Sequence, residues 1–162
     1  MEATELITAL GSALGIELKL DAEGTCAFSA DETTITINHL GPFDVLVLSG
    51  DLGEPPPERL EALYEAMLEA NHLFAGTGGA TLSRDSETGH FAICRALPCR
   101  ALDADSFYAQ VEQFVSTVEA WTKLVANFRA VPAVATRAHL PAAPEAPSGE
   151  AMGLDDILGL RV

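Results

Sequence analysis

The chain has 162 residues and a formal net charge of −15, because 24 acidic side chains outnumber 9 basic ones. This length is typical of one domain, and a hydrophobic content of 48% is sufficient for a buried core. A surface this negative repels phosphate groups, so the composition argues against binding to nucleic acids and to anionic membranes. It favours solubility and the attraction of basic partners.

The cysteines and the N-terminal residues indicate where the protein resides. Cys26, Cys94 and Cys99 form no Cys-x-x-Cys pair, and their odd number argues against a disulfide framework. The first residues lack a basic start and a long apolar run, so we predict no signal peptide. No window approaches the roughly 20 apolar residues that a membrane helix needs. We therefore expect a cytoplasmic protein.

Short amphipathic patterns fill the first third of the chain. Residues 2–14 carry leucine at every fourth position from Leu6, which predicts a helix that Gly15 ends. Alternation of apolar and polar side chains predicts strands over 16–20, 25–29 and 33–38. The apolar run 43–48 predicts a strand covered on both faces. The short connections favour an antiparallel meander.

The central stretch, residues 58–97, predicts a helix, a glycine stop and a hairpin. Pro55–Pro57 precede a stripe of apolar residues with helical spacing that ends near Asn71. The glycine-rich segment 76–79 is predicted to end this helix, because glycine enters left-handed conformations without a steric penalty. Apolar runs at 80–84 and 90–97 flank a polar loop, which indicates a hairpin.

The longest amphipathic pattern lies near residue 115. Asp103 or Asp105 can cap this last helix, and its apolar stripe consists of Phe107, Val111, Phe114, Val118, Trp121, Val125 and Phe128. Taken together, the elements predict an α+β fold, with an antiparallel sheet flanked by three helices in the order α-β-β-β-β-α-β-β-α.

The composition changes near residue 131. We predict one folded domain over residues 1–130, followed by a proline- and alanine-rich linker over 131–150. Residues 151–162 carry one short apolar motif. Three alternatives remain for it: a frayed or disordered terminus, a turn docked on its own domain, or a tethered motif that docks on a partner.

No grouping of residues points to catalysis or to a bound metal ion. The four histidines are scattered, and His72 has no second histidine or cysteine at the spacing of a zinc site. The segment 76–79 lacks the lysine and the spacing of a phosphate-binding loop. We predict no enzyme activity, no metal and no cofactor. A small hydrolase or thiol enzyme that uses Cys94 and His90 is the weaker alternative.

An ordered set of short motifs carries a family resemblance. The motifs are Leu68-x-x-Asn71-x-Leu73-Phe74, Gly79-x-x-Leu82-x-Arg84-Asp85, Gly89-His90-Phe91, Leu97-Pro98 and Leu102-x-x-x-x-Phe107. Across about residues 4–128 the chain resembles the type III secretion chaperones of the Tir-chaperone (CesT) family. The proline-rich extension after Val131 lies beyond the usual core of that family.

The resemblance implies a type III secretion chaperone that binds the extended N-terminal segment of a secreted effector and keeps it competent for export. It also implies a homodimer in the bacterial cytoplasm, with the export machinery as a further partner. The alternative is a non-enzymatic adaptor or regulatory module of related fold that binds a folded partner protein.

The resemblance also implies two sets of site residues. The first helix and the first strands would present the effector-binding groove, at Leu6, Leu10, Ile16, Leu18, Phe28, Ile35 and Ile37. The central helix would supply a two-fold dimer interface, at Leu60, Leu63, Tyr64, Met67 and Leu68. For each groove residue the alternative is an ordinary core position, and for the interface it is packing on the chain's own sheet.

Overall fold

The computed structural model describes residues 1–56 and 58–128. Within this part of the chain, three α-helices and five strands follow one another as α1 (Ala3–Leu14), β1 (Thr25–Ala30), β2 (Thr33–Leu40), β3 (Val45–Gly53), α2 (Leu60–Asn71), β4 (Thr81–Arg84), β5 (Phe91–Pro98) and α3 (Ala104–Asn127). None of these helices is long and apolar enough to cross a membrane. The predicted linker and C-terminal motif lie outside the described residues.

The five strands form one antiparallel sheet in the order β1-β2-β3-β5-β4, so β1 and β4 are its edges. The predicted α+β class, with three helices on an antiparallel sheet, is confirmed. β3 and β5 pair at the centre from Val45↔Pro98 to Gly53↔Phe91. This pairing brings together residues that are far apart in sequence, because α2 and β4 lie between the two strands.

One face of the sheet is buried beneath the helices. On β3, Leu46 and Leu48 are fully buried, whereas Val45 and Val47 on the opposite face are only partly covered. α3 packs across β2 and β3, and its predicted apolar stripe is buried along its whole length. Of the two predicted caps, Asp103 is the one that caps this helix: the Ser106 backbone N–H donates to Asp103 Oδ1 at 2.8 Å.

The prediction of a strand over residues 16–20 is wrong. This segment belongs to no strand and instead runs back along α1, where the Ile16 backbone N–H donates to the Gly11 carbonyl at 3.0 Å. Leu18 is buried and Leu20 partly buried against the core. The alternation of side chains therefore reflects packing of an extended segment beside a helix. Gly15 ends α1 as predicted, in a left-handed conformation with φ 71°.

The apolar run 43–48 also differs from its prediction. The strand begins at Val45, and Phe43 lies in a short 3-10 helix, Gly41–Phe43, with 70% of its surface exposed. Burial along β3 alternates, so only one of its faces is fully covered within the described residues. The valines at 45 and 47 are apolar but face the partly covered side.

α2 ends at Asn71, before the glycines that were predicted to end it. A 3-10 helix, His72–Phe74, follows, in which Leu73 and Phe74 have φ of 52° and 57°, the left-handed region that favours glycine. The end of α2 is fixed to β4, because Asn71 Oδ1 accepts from the Leu82 backbone N–H at 2.9 Å and Asn71 Nδ2 donates to the Leu82 carbonyl at 3.1 Å.

The loop after α2 is also joined to α3. The indole Nε1 of Trp121 donates to the Gly76 carbonyl at 2.9 Å, and the ring itself is buried. A buried indole N–H normally has such a partner. The loop between α2 and β4 is thus closed at its ends by the bonds between Asn71 and Leu82, and held at its middle by Trp121.

Candidate functional site

An exposed apolar surface extends from the outer side of α2 into the 3-10 helix after it. It consists of Tyr64, Leu68, Leu73 and Phe74, which we call the α2 surface. Leu68 is 70% exposed and Leu73 is 82% exposed. Four large apolar side chains within eleven residues of sequence are unusual on a surface that only meets water, and such patches mark interaction sites.

The structure divides the five residues predicted for the dimer interface. Leu63 and Met67 are buried in the chain's own core, and Leu60 packs partly against it. Tyr64 and Leu68 are exposed. The Tyr64 ring meets Phe91 edge-on, with ring centroids 5.6 Å apart, which fixes its orientation. The interface itself stays a prediction.

Leu73 and Phe74 are absent from the predicted interface. In the sequence these two residues lie between the predicted helix and the glycines that were predicted to end it. The signal that could have found them is simple: two large apolar residues follow directly after the predicted end of an amphipathic helix, where polar residues are the norm.

The residues predicted for the effector-binding groove lie mainly in the core. Six of them are buried: Leu6, Leu10, Leu18, Phe28, Ile35 and Ile37. Ile16 is 45% exposed and follows closely on Leu14, which is also exposed at the end of α1. In this conformation, Ile16 is therefore the predicted groove residue that a ligand can reach, and the groove remains a prediction.

A polar groove of about 370 Å³ lies on the opposite side of the sheet from the helices. Its lining includes Asp51 on β3 and His90 just before β5, and His90 Nδ1 lies 2.9 Å from Asp51 Oδ2. This hydrogen bond is the main cause that raises the pKa of His90. Attraction to the carboxylates of Asp51, Glu54 and Asp85 raises the pKa further, and desolvation lowers it by a smaller amount than the hydrogen bond raises it. The pair is open to solvent, so it contributes little to stability.

The three thiols are poorly suited to nucleophilic catalysis. Burial, with a smaller effect of Asp21, raises the pKa of Cys26 to about 11. Burial also raises the pKa of Cys94 and of Cys99. Each thiol is therefore protonated near neutral pH, and a thiol is a much weaker nucleophile than a thiolate. This disfavours the thiol-enzyme alternative.

One cluster of side chains was missed by the sequence analysis. A ring nitrogen of His39, a carboxylate oxygen of Asp44 and the sulfur of Cys99 all lie within 4.8 Å of one another. Cys99 is far from the other two in sequence, and only the pairing of β3 with β5 brings it to them. Spacing along the chain gives no indication of such a cluster.

The fold is shared with several solved structures. A chain of the ExsC-ExsE complex is 21% identical, with a TM-score of 0.65, 77% of this chain covered and 97% of that one. A chain of the HopA1-SchA chaperone-effector complex is 17% identical, with a TM-score of 0.62 and coverages of 74% and 91%. The structure of the Yersinia pestis type III secretion chaperone SycH with a stable fragment of YscM2 gives 16% identity, a TM-score of 0.58 and coverages of 73% and 98%.

Sequence comparison identifies the family directly. No curated protein sequence matches the chain significantly. Residues 5–122, which span α2, all five strands and most of α1 and α3, match the Tir chaperone protein (CesT) family. Because the match covers most of the chain, this protein belongs to the Tir chaperone protein (CesT) family.

Proposed function

We propose that this protein, a type III secretion chaperone by its family, binds the extended N-terminal segment of a secreted effector and keeps it unfolded until export. The family match over residues 5–122 carries the proposal. Two of the similar structures support it, since one is described as a chaperone-effector complex and another as a secretion chaperone with a fragment of YscM2. The proposed place of action is the bacterial cytoplasm, before the effector meets the export machinery.

An extended ligand suits the surfaces that the described residues leave open. β1 is an edge strand, and past Thr25, whose backbone groups bond to Asp21, its outer edge pairs with no other strand within the described residues. An extended peptide can add to such an edge by hydrogen bonding. Leu14 and Ile16 present apolar side chains at the end of α1. A ligand that stays extended also needs no unfolding before it enters a narrow export channel. These features support an unfolded segment over a folded domain as the ligand.

The proposal includes a homodimer formed through the α2 surface. Leu68 and Leu73 are the most exposed large apolar residues of this patch, and an isologous contact would cover both copies at once. Stable interfaces bury about 1,200–2,000 Å² in total, with aromatic and apolar residues at the centre. Leu60, Leu63 and Met67, predicted as interface residues, would support this surface from beneath.

Replacing Leu68 with glutamate is expected to convert the dimer to a monomer, because two carboxylates would face each other across the two-fold axis without a partner. Multi-angle light scattering at micromolar concentration measures the mass. Leu124→Glu is the matched control, since Leu124 is an exposed leucine on α3 outside the α2 surface. A wild-type protein that is already monomeric at this concentration would contradict the proposed dimer.

The effector proposal is tested by co-expression with a secreted protein encoded beside this one. We expect the chaperone to protect an N-terminal segment of that protein from limited proteolysis while the segment gains no folded structure. Ile16→Asp should weaken the complex at least about tenfold, by loss of one apolar contact and burial of a charge, and Leu124→Glu should not. Protection of a folded domain with the N-terminus still cleaved would favour the adaptor alternative instead.

A further inference from the structure

Three metal-ligand side chains meet where the β2–β3 turn approaches the end of β5. The sheet register explains their meeting: Leu40 pairs with Val45, and Val45 pairs with Pro98, so the residues that flank these positions are neighbours. The flanking residues are His39, Asp44 and Cys99, whose ligand atoms lie within 4.8 Å of one another. Cys99 is fully buried, and His39 and Asp44 are partly buried.

The His39 ring has a buried nitrogen with unused hydrogen-bonding capacity. Its Nε2 atom is shielded from solvent, yet it has no hydrogen-bond partner within the described part of the chain. Buried polar atoms nearly always have a partner. An imidazole nitrogen can satisfy itself in this situation by binding a metal ion, which is a common role of histidine.

The ligand types and their separation fit zinc. Imidazole nitrogen, thiolate sulfur and carboxylate oxygen are the three kinds of ligand that Zn²⁺ takes in proteins. With bonds of about 2.0–2.3 Å, the ligand atoms of a tetrahedral zinc ion lie roughly 3.5 Å apart. The three atoms therefore need to approach one another by only about an ångström, which side-chain rotation can supply.

The backbone around the cluster is already fixed. Asp44 ends the 3-10 helix with φ 53°, and its backbone N–H donates to the Gly41 carbonyl at 3.1 Å. Its carbonyl accepts from the Cys99 N–H at 3.0 Å. A metal site needs ligands on such rigid elements, because loose ligands lose entropy on binding.

We propose that His39, Asp44 and Cys99 bind one Zn²⁺ ion, with a water molecule as the fourth ligand. Binding converts the Cys99 thiol to a thiolate and releases its proton to solvent. The ion joins the β2–β3 turn to the end of β5. That turn carries Leu40 and Phe43, both exposed, so zinc fixes the position of two apolar side chains on the surface.

The test uses the full chain without an affinity tag, freed of metal by a chelator and titrated with Co²⁺ as a spectroscopic substitute for zinc. We expect one equivalent to produce a thiolate-to-cobalt absorption band and the visible bands of tetrahedral cobalt, which Zn²⁺ then removes. Cys99→Ala should abolish the thiolate band. His39→Gln and Asp44→Asn should each lower the affinity at least about tenfold, because each removes a ligand.

Two matched controls separate the site from the rest of the chain. Cys26→Ala removes another buried thiol, and Asp31→Asn changes another aspartate with left-handed backbone, φ 50°, in a different turn. Both should bind cobalt as the wild type does. Asp44→Asn retains the fold even if Cys99→Ala does not, because asparagine accepts the left-handed conformation of Asp44.

Thermal unfolding gives an independent readout. Zinc at a hundred times its dissociation constant should raise the midpoint of the wild type and of both controls by roughly 5–10 °C. At the same zinc concentration it should raise the midpoints of Asp44→Asn and His39→Gln by no more than about half as much. The proposal is overturned if the wild type gives no thiolate band, if the band persists in Cys99→Ala, or if zinc stabilises the ligand variants as much as the wild type.

Discussion

Replacing Asn71 with alanine is expected to lower the free energy of unfolding by about 2–4 kcal/mol, since two backbone groups lose their partner at once. The Asn71 side chain accepts from the Leu82 N–H and donates to the Leu82 carbonyl. β4 is an edge strand, so these groups of Leu82 face no neighbouring strand in the part of the chain that the structure describes. Truncation leaves both of them unpaired at a partly buried position.

Urea unfolding followed by circular dichroism measures this loss. Asn71→Asp keeps the acceptor for the Leu82 N–H but places a carboxylate against the Leu82 carbonyl. We therefore expect Asn71→Asp to lower the free energy of unfolding as well. Asn127→Ala is the control, because the Asn127 side chain donates to the Lys123 carbonyl within an exposed turn of α3. Equal stability of Asn71→Ala and the wild type would contradict the role given to Asn71.

Replacing Gly50 with alanine is expected to destabilise the fold by about 1–3 kcal/mol through overpacking. A Cβ atom at this buried position of β3 would lie 2.8 Å from Val118 Cγ1 and 2.9 Å from Val118 Cγ2. Val118 cannot easily rotate away, because a valine in a helix has one strongly preferred rotamer. α3 must therefore move away from the sheet.

A double-mutant cycle separates this contact from other effects. Val118→Ala alone should destabilise by leaving a cavity, whereas the pair Gly50→Ala with Val118→Ala should be less destabilised than the sum of the single changes. Gly41→Ala is the control, since its added Cβ meets only His39 Cε1 at 3.9 Å, an ordinary contact. Additive energies in the cycle would show that β3 and α3 do not approach each other as closely as described.

Amphipathic helices with clear caps could be predicted from the sequence. The stripe of α3 recurs at three- and four-residue spacing for the whole helix, and Asp103 lies where an N-cap should. α1 has the same pattern and a glycine after it. In both helices the local helix preference and the tertiary packing agree, so the apolar pattern predicted where each helix lies and which of its residues are buried.

Patterns with two physical causes could not be resolved. Alternation over residues 16–20 fits a half-buried strand and equally fits an extended segment packed beside α1. The apolar stripe of α2 includes both Leu63, which faces the core, and Leu68, which faces solvent. In the sequence, an apolar stripe that packs on the sheet with one side and is exposed on the other looks like a single wide face. Helical spacing alone does not say which side of that stripe meets the sheet.

Features that depend on distant pairing were invisible in the sequence. The meeting of Asp44 and Cys99 follows from the register of β3 with β5, and no local pattern predicts that register. The left-handed backbone at Leu73 and Phe74 breaks the rule that such positions take glycine. Departures from local rules concentrate at functional sites, and this one lies in the surface that we propose for the dimer.

The indole of Trp121 gives the molecule a built-in optical probe. It is the one tryptophan in the chain, so fluorescence excited at the red edge of protein absorption comes from a single, known position. Its hydrogen bond to Gly76 ties that emission to the loop between Phe74 and β4. Assembly, ligand capture and loss of structure can therefore be followed in solution on unlabelled protein, by light emitted a few residues from the α2 surface.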